Sequence, residues 1–197
     1  MKSKYISINT ALKFAVDKHK LTFREGEVKD VKIPYIIHPM QVMILLVEWQ
    51  IVDETALRAA LCHDILEDTK TSPKEMIAKI GKTATSIVEE LTYDVSIHKS
   101  KKNYLKTFYK SSIEALVIKL ADRICNVRSF MALSDEYSVI YMKKAEELFK
   151  AYELRQSEID ETFGEDTCRK FITPTIDYLK YELEKLGSFF VKKELKL

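Results

Sequence analysis

Within the stretch LCHDILEDT, residues 61–69, the ionisable side chains of His63, Asp64, Glu67 and Asp68 interrupt a run otherwise apolar enough to be the buried face of a helix. On one continuous helix His63 and Glu67 share a stripe, as do Asp64 and Asp68, and the two stripes lie about 100° apart, so all four project into one polar sector. Leu57, Ala60, Leu61 and Ile65 occupy much of the remaining circumference, which turns that sector toward an interior cavity. Each residue taken singly is also accounted for by a solvated helix end. Acidic side chains are unfavourable in a last turn, however, because a helix C-terminus carries partial negative charge.

Asp122 stands in IKLADRICNVRS, flanked by Leu120, Ala121 and Ile124, with Lys119 one turn before it and Asn126 one turn after. A carboxylate on such a face needs a cation, and Arg123, Arg128 or a metal ion would each serve. His38, in YIIHP, precedes the helix that Pro39 is expected to open; alone it reads as a satisfied core histidine. Together His38, His63, Asp64 and Asp122 supply two imidazoles and two carboxylates, a mixed N/O set suited to Mn²⁺, Fe²⁺ or Zn²⁺. The set contains no cysteine, which points away from a structural zinc site and toward a catalytic one with open positions.

Helices must position these groups. The periodicity predicts helices near 6–20, 40–50, 53–68, 73–80, 82–93, 99–109, 112–133, 137–162 and 165–186, an all-α fold. Ser72, Pro73 and Glu75 form a capping-box start, Gly81 is placed to stop that helix, and Ser111 with Glu114 repeats the start before ALVIKLADRICNVRSF. Residues 24–39, with two prolines and no helical rhythm, read as a loop or a short extended pair, and YDVSIHKSKK, 93–102, as a second, solvated loop. His19 and His98, among lysines, are expected on the surface; Cys62 and Cys125 are expected in the core, and Trp49 either there or at a subunit contact.

Composition bounds the rest. At 197 residues and 46% hydrophobic the chain can bury a sizeable core, and one domain over 1–197 is expected. Four glycines and four prolines are too few for disorder or a turn-rich β fold. A net charge of +2 gives no general reason for nucleic-acid binding, and none is expected. Three scattered cysteines fit a reducing compartment, MKSKYISINT lacks a signal-peptide core, and VMILLV is too short to span a bilayer, so a soluble cytoplasmic protein without a membrane partner is expected.

A histidine, a later His-Asp pair and a distant Asp in an apolar helix resemble the ligand pattern of the HD superfamily of metal-dependent phosphohydrolases, an all-α helical bundle. PYIIHP, ALCHDILEDT and KLADRICNVR, in this order, resemble the hydrolase domain of the RelA/SpoT group, and the lack of a synthetase-like region resembles the stand-alone small alarmone hydrolases of the Mesh type. The resemblance runs over about 10–160, with 160–197 a helical extension that packs on the core or forms a homo-oligomer contact. It implies a single Mn²⁺ on His38, His63, Asp64 and Asp122, and catalysis by Glu67, as principal base, and Asp68. It further implies hydrolysis of (p)ppGpp to GDP or GTP and pyrophosphate, a guanine nucleotide being the substrate. Lys29 and Asn126 match nucleotide-binding positions, Tyr141 a tyrosine that borders the pocket, and Arg24 or Lys32 stands in for a family basic residue replaced here by Val28. Where the family often carries an arginine one turn before Tyr141, this chain has Tyr137. Other HD chemistries implied by the superfamily are hydrolysis of an adenosine analogue, of the 2′-phosphate of NADPH or of a nucleoside monophosphate, or alarmone binding without turnover.

Overall fold

The structure, a computed structural model, describes residues 5–25, 31–131 and 135–194; Val28 and Lys29 lie outside them. Helix α9, Ile113–Met131, is apolar on nearly every side: Leu116, Val117, Ile118, Leu120, Ala121 and Ile124 are inaccessible to solvent. A helix of that kind must be surrounded. Around it lie α2 (Ile37–Glu48), α3 (Glu54–Leu61), α6 (Lys82–Leu91), α10 (Asp135–Lys143), α11 (Glu146–Leu154) and α12 (Gln156–Phe163), while α1 (Ile8–His19) and α5 (Pro73–Ile80) pack on α3. The expected all-α architecture is observed.

Local chemistry sets the ends of these helices. Ser72 accepts the Glu75 amide at 3.2 Å with Pro73 in the first turn, and Gly81, at φ +90°, ends α5 and begins α6. A side chain at that φ would be strained. The expected cap of α9 is displaced by one residue: Ser112, rather than Ser111, accepts from the Ala115 amide at 3.2 Å. Within 24–39 an antiparallel hairpin pairs β1, Phe23–Glu25, with β2, Lys32–Pro34, setting Arg24 opposite Ile33. Helix α2 begins two residues before Pro39, so His38 is in its first turn. The loop expected over 93–102 contains a short helix, α7 (Val95–His98), ahead of α8 (Lys101–Thr107).

Two of the long helices predicted from periodicity are broken. The segment 53–68 divides into α3 and α4 (Ile65–Asp68), with Cys62, His63 and Asp64 in a turn. His63 Nδ1 lies 2.8 Å from the Ala60 carbonyl, the acceptor that a continuous helix would offer to the Asp64 amide. The segment 137–162 divides into α10, α11 and α12; at the last break Arg155 is buried and donates to the Phe108 and Ser111 carbonyls at 3.0 and 2.8 Å. Those contacts link positions distant in sequence, which a periodicity cannot register.

Beyond 160, a π-helical turn at Cys168–Ile172 leads into α13, Thr173–Glu194, whose Ile176, Leu179 and Leu183 are buried at helical spacing. Trp49 is 1% exposed and donates through Nε1 to Thr175 Oγ1 at 3.1 Å, so both Trp49 and this extension belong to the core. Among the described residues no helix is long and apolar enough to cross a membrane.

Candidate active site

The break after α3 sets up the site. On a regular helix adjacent side chains diverge by about 100°, yet here His63 Nε2 and Asp64 Oδ2 converge to 3.0 Å. The arrangement expected from one continuous helix, with all four polar residues in a single sector, is therefore replaced by a turn that carries His63 and Asp64 and a short helix that carries Glu67 and Asp68. From α2, His38 Nε2 comes to 3.9 Å from Asp64 Oδ2; from α9, Asp122 Oδ1 lies 3.1 Å from His38 Nε2 and 3.8 Å from His63 Nε2.

Bonds of about 2.0–2.2 Å to a shared ion leave neighbouring ligand atoms roughly 3–4 Å apart, the range of these separations. Ligand atoms of His38, His63 and Asp64 all lie within 4.8 Å of one another. His63 Nε2 is buried and lacks a hydrogen-bond partner, while Nδ1 is engaged by Ala60. That is the division of labour of a metal-ligating imidazole, so the donor set fits a divalent cation.

The surrounding charges are unequal. Burial opposes ionisation of Asp122, but the Lys119 ammonium at 2.8 Å and the two imidazoles prevail and hold it well below the usual carboxylate range. The cation on Asp122 is thus Lys119, one turn back, and neither Arg123 nor the exposed Arg128. Burial pushes the His63 imidazole down, yet Asp64 and Asp122 outweigh it and raise it to about 10, while His38 is lowered, chiefly by burial. Asp64 is lowered because His63 overcomes the effect of burial; Asp68 is raised, by burial first and by Asp64 second.

Tyr35, which precedes His38 by three residues, donates its hydroxyl to Asp64 Oδ2 at 2.5 Å. The ring of His19 packs against that of Tyr35, tilted by 37° with centroids 4.8 Å apart. His19, expected on the surface, is 2% exposed: Lys18 and Lys20 turn outward to Glu75 and Asp17, and the imidazole turns inward beneath the site. His98 is half-buried between Tyr93 and Tyr104. Cys62 and Cys125 are buried, as expected.

The cluster opens into a cavity of about 600 Å³, large enough for a nucleotide-sized ligand. Asp64 and Asp122 lie at its floor and Glu67 and Asp68 in its wall; Glu67 Oε2 accepts the Tyr93 amide at 3.0 Å, and its Oε1 lies 3.8 Å from Lys101 Nζ. Of the expected substrate-binding residues, Arg24, Asn126 and Tyr141 line the same cavity. Asn126 donates to Asp122 Oδ1 at 2.5 Å, and the Arg24 guanidinium sits 4.8 Å from the centre of the Tyr35 ring. Lys29 lies outside the described residues, and Lys32 is exposed. The sequence reading missed Tyr35, Lys101, Lys102 and Arg123 as lining residues; the run KSKK offered the only cue, and it reads equally as solvated surface.

The HD-domain family model matches residues 11–156. The chain belongs to the HD-domain family. Among characterised relatives, it is 37% identical over 139 residues to guanosine-3′,5′-bis(diphosphate) 3′-pyrophosphohydrolase MESH1 of Xenopus tropicalis, covering 69% of this chain and 76% of that protein. The Homo sapiens protein of the same name is 36% identical over 140 residues, with 69% and 76% covered. A longer bacterial relative, guanosine-3′,5′-bis(diphosphate) 3′-pyrophosphohydrolase of Spiroplasma citri, is 30% identical over 152 residues; the match spans 73% of this chain and only 20% of that protein. A solved structure described as a metazoan ortholog of SpoT that hydrolyzes ppGpp and plays a role in starvation responses superposes with a TM-score of 0.64 at 30% identity, covering 81% of this chain and 98% of that one.

Proposed function

We propose that this chain is a cytoplasmic, single-domain, metal-dependent pyrophosphohydrolase that removes the 3′-diphosphate from guanosine 3′,5′-bis(diphosphate) and its 5′-triphosphate counterpart, giving GDP or GTP and pyrophosphate. The observation that carries the proposal is the cluster of His38, His63 and Asp64, with Asp122 against both imidazoles, beside a cavity that Asp64, Asp122, Glu67 and Asp68 line. Relatives and a structural neighbour named for this reaction add support.

In this reading His38, His63, Asp64 and Asp122 hold one Mn²⁺. When bound, such an ion supplies Lewis acidity, lowering the pKa of water and drawing charge from a phosphoryl oxygen. Glu67 accepts a proton from the attacking water, its carboxylate aimed by the Tyr93 amide. The new bond joins the water oxygen to the phosphorus carried on the ribose 3′-oxygen; the bond to that 3′-oxygen breaks, and it leaves with a proton. Asp68 orients the water, and its raised carboxyl can take part in returning the proton. Lys29, Arg24, Asn126 and Tyr141 bind the nucleotide, joined by Lys101 on the phosphates beside Glu67.

Pyrophosphate and phosphate release should be measured separately on ppGpp, pppGpp and their adenosine counterparts, with Mn²⁺ and after chelation. The expected result is Mn²⁺-dependent pyrophosphate release from the guanosine substrates. Asp64→Ala should lose both metal and activity, whereas Glu67→Ala should retain metal and lose about 10²–10⁴-fold in turnover. No release by Mn²⁺-loaded protein from any of these nucleotides would sink the reading.

A further inference from the structure

Arg123 follows Asp122 on α9 and is 8% exposed, yet among the described residues no carboxylate pairs with it, and its Nε is buried without a hydrogen-bond partner. The Tyr141 ring lies against it, its centre 4.0 Å from the guanidinium carbon. The ring fixes the plane of the guanidinium without neutralising it. A guanidinium withdrawn from water without a counter-charge is unfavourable, and its fork matches the oxygens of a phosphate.

Lys143 and Lys144 line the same cavity farther out and are exposed. The carboxylates beside them are already engaged. Glu146 lies 2.6 Å from Lys150 Nζ, and Glu147 is 3.9 Å from Lys102 Nζ and accepts the Tyr109 hydroxyl at 3.4 Å. Among the described residues Arg123, Lys143 and Lys144 are therefore left as cations without a carboxylate partner, in the same cavity as the proposed metal ligands. One cavity with both sets of groups suits a molecule with two separate phosphate arms.

We infer that Arg123, Lys143 and Lys144 form a second anion subsite that holds the substrate's uncleaved 5′-phosphate arm and makes the enzyme favour longer arms. This rests on the proposed hydrolysis of the 3′ arm. The subsite binds and does no bond breaking. Arg123 grips the proximal phosphate by its fork, and the two lysines gain contacts as the arm lengthens.

The test uses guanosine 3′-diphosphates that carry a 5′-mono-, di- or triphosphate. In the wild type kcat/KM should rise with arm length. The surface variant Lys143→Ser/Lys144→Ser should lose about threefold to tenfold on the triphosphate, progressively less on the shorter arms, and the loss should appear in KM. Arg123→Gln should lose about tenfold to a hundredfold on the di- and triphosphate, with partial recovery in Arg123→Lys and the fold checked by circular dichroism. Equal losses at all three arm lengths, or none, would overturn the subsite. If the wild type releases pyrophosphate from none of the three, the proposed reaction fails; equilibrium binding of GMP, GDP and GTP then decides the subsite. Wild-type affinity that climbs with arm length, and a flattened climb in Lys143→Ser/Lys144→Ser, supports it, and an unchanged climb in the variant rejects it.

Discussion

At the floor of the cavity Asp122 is enclosed by Lys119, His38 and Asn126 at 2.8, 3.1 and 2.5 Å, whereas the adjacent residue, Arg123, has a ring beside it and no anion among the described residues. Both are buried on the same helix. The floor compensates its charges from within the protein, which positions its donors before any ion arrives. Arg123 is left for a ligand to compensate. Buried charge is tolerated only when paired; which side supplies the pair would separate the proposed metal site from the proposed surface that selects substrate.

The comparison can be broken most severely at Lys119. Lys119→Met leaves Asp122 with the imidazoles and the Asn126 amide but no ammonium, and should cost about 3–5 kcal/mol of metal-free stability, read by denaturant unfolding, with a smaller loss once Mn²⁺ is present. Equal stability of variant and wild type would mean that the floor is not compensated from within. A smaller effect is expected at Tyr35, whose hydroxyl restrains Asp64. Tyr35→Phe should weaken Mn²⁺ binding by about tenfold to a hundredfold in metal titrations, while the arm-length dependence of nucleotide binding stays as in the wild type.

The mildest probe is pH. His63 in the metal-free protein is raised to about 10 by Asp64 and Asp122, so below that value a metal ion must displace its proton. Affinity for Mn²⁺ should therefore rise with pH up to that point, by about tenfold per pH unit for each proton displaced, and calorimetry in buffers of different ionisation enthalpy should detect the released proton. The nucleotide arm gains its full negative charge as its terminal phosphate loses a second proton near pH 6, so arm-length dependence should level off above about pH 7, where Mn²⁺ affinity is still rising. A matching pH slope at both sites would mean that they are not electrostatically distinct.

Much of this molecule is legible in the chain. The residue types of His38, His63, Asp64 and Asp122 announce a metal chemistry, the apolar circumference of 113–131 predicts a buried helix, and Ser72, Pro73 and Gly81 mark α5 correctly because capping is local chemistry. What periodicity reports is which face is apolar, and it carries no record of a side chain capturing a carbonyl. The break at Cys62–Asp64 is therefore invisible to it, and so is the convergence of adjacent side chains on one point that the break allows. The same holds for pairing: the sequence offers Arg123 or Arg128 as the cation for Asp122, and rotation about a packed helix gives Lys119 to Asp122 instead, Arg123 to the cavity and Arg128 to solvent. His19, which the sequence places among surface lysines, is buried against Tyr35, a contact between residues sixteen apart that no local pattern registers. The sequence by itself determined the types of the candidate ligands and most of the helices around them. The tertiary structure alone decided which charges meet inside the protein and which are left to meet a substrate, because that depends on distances between residues far apart along the chain.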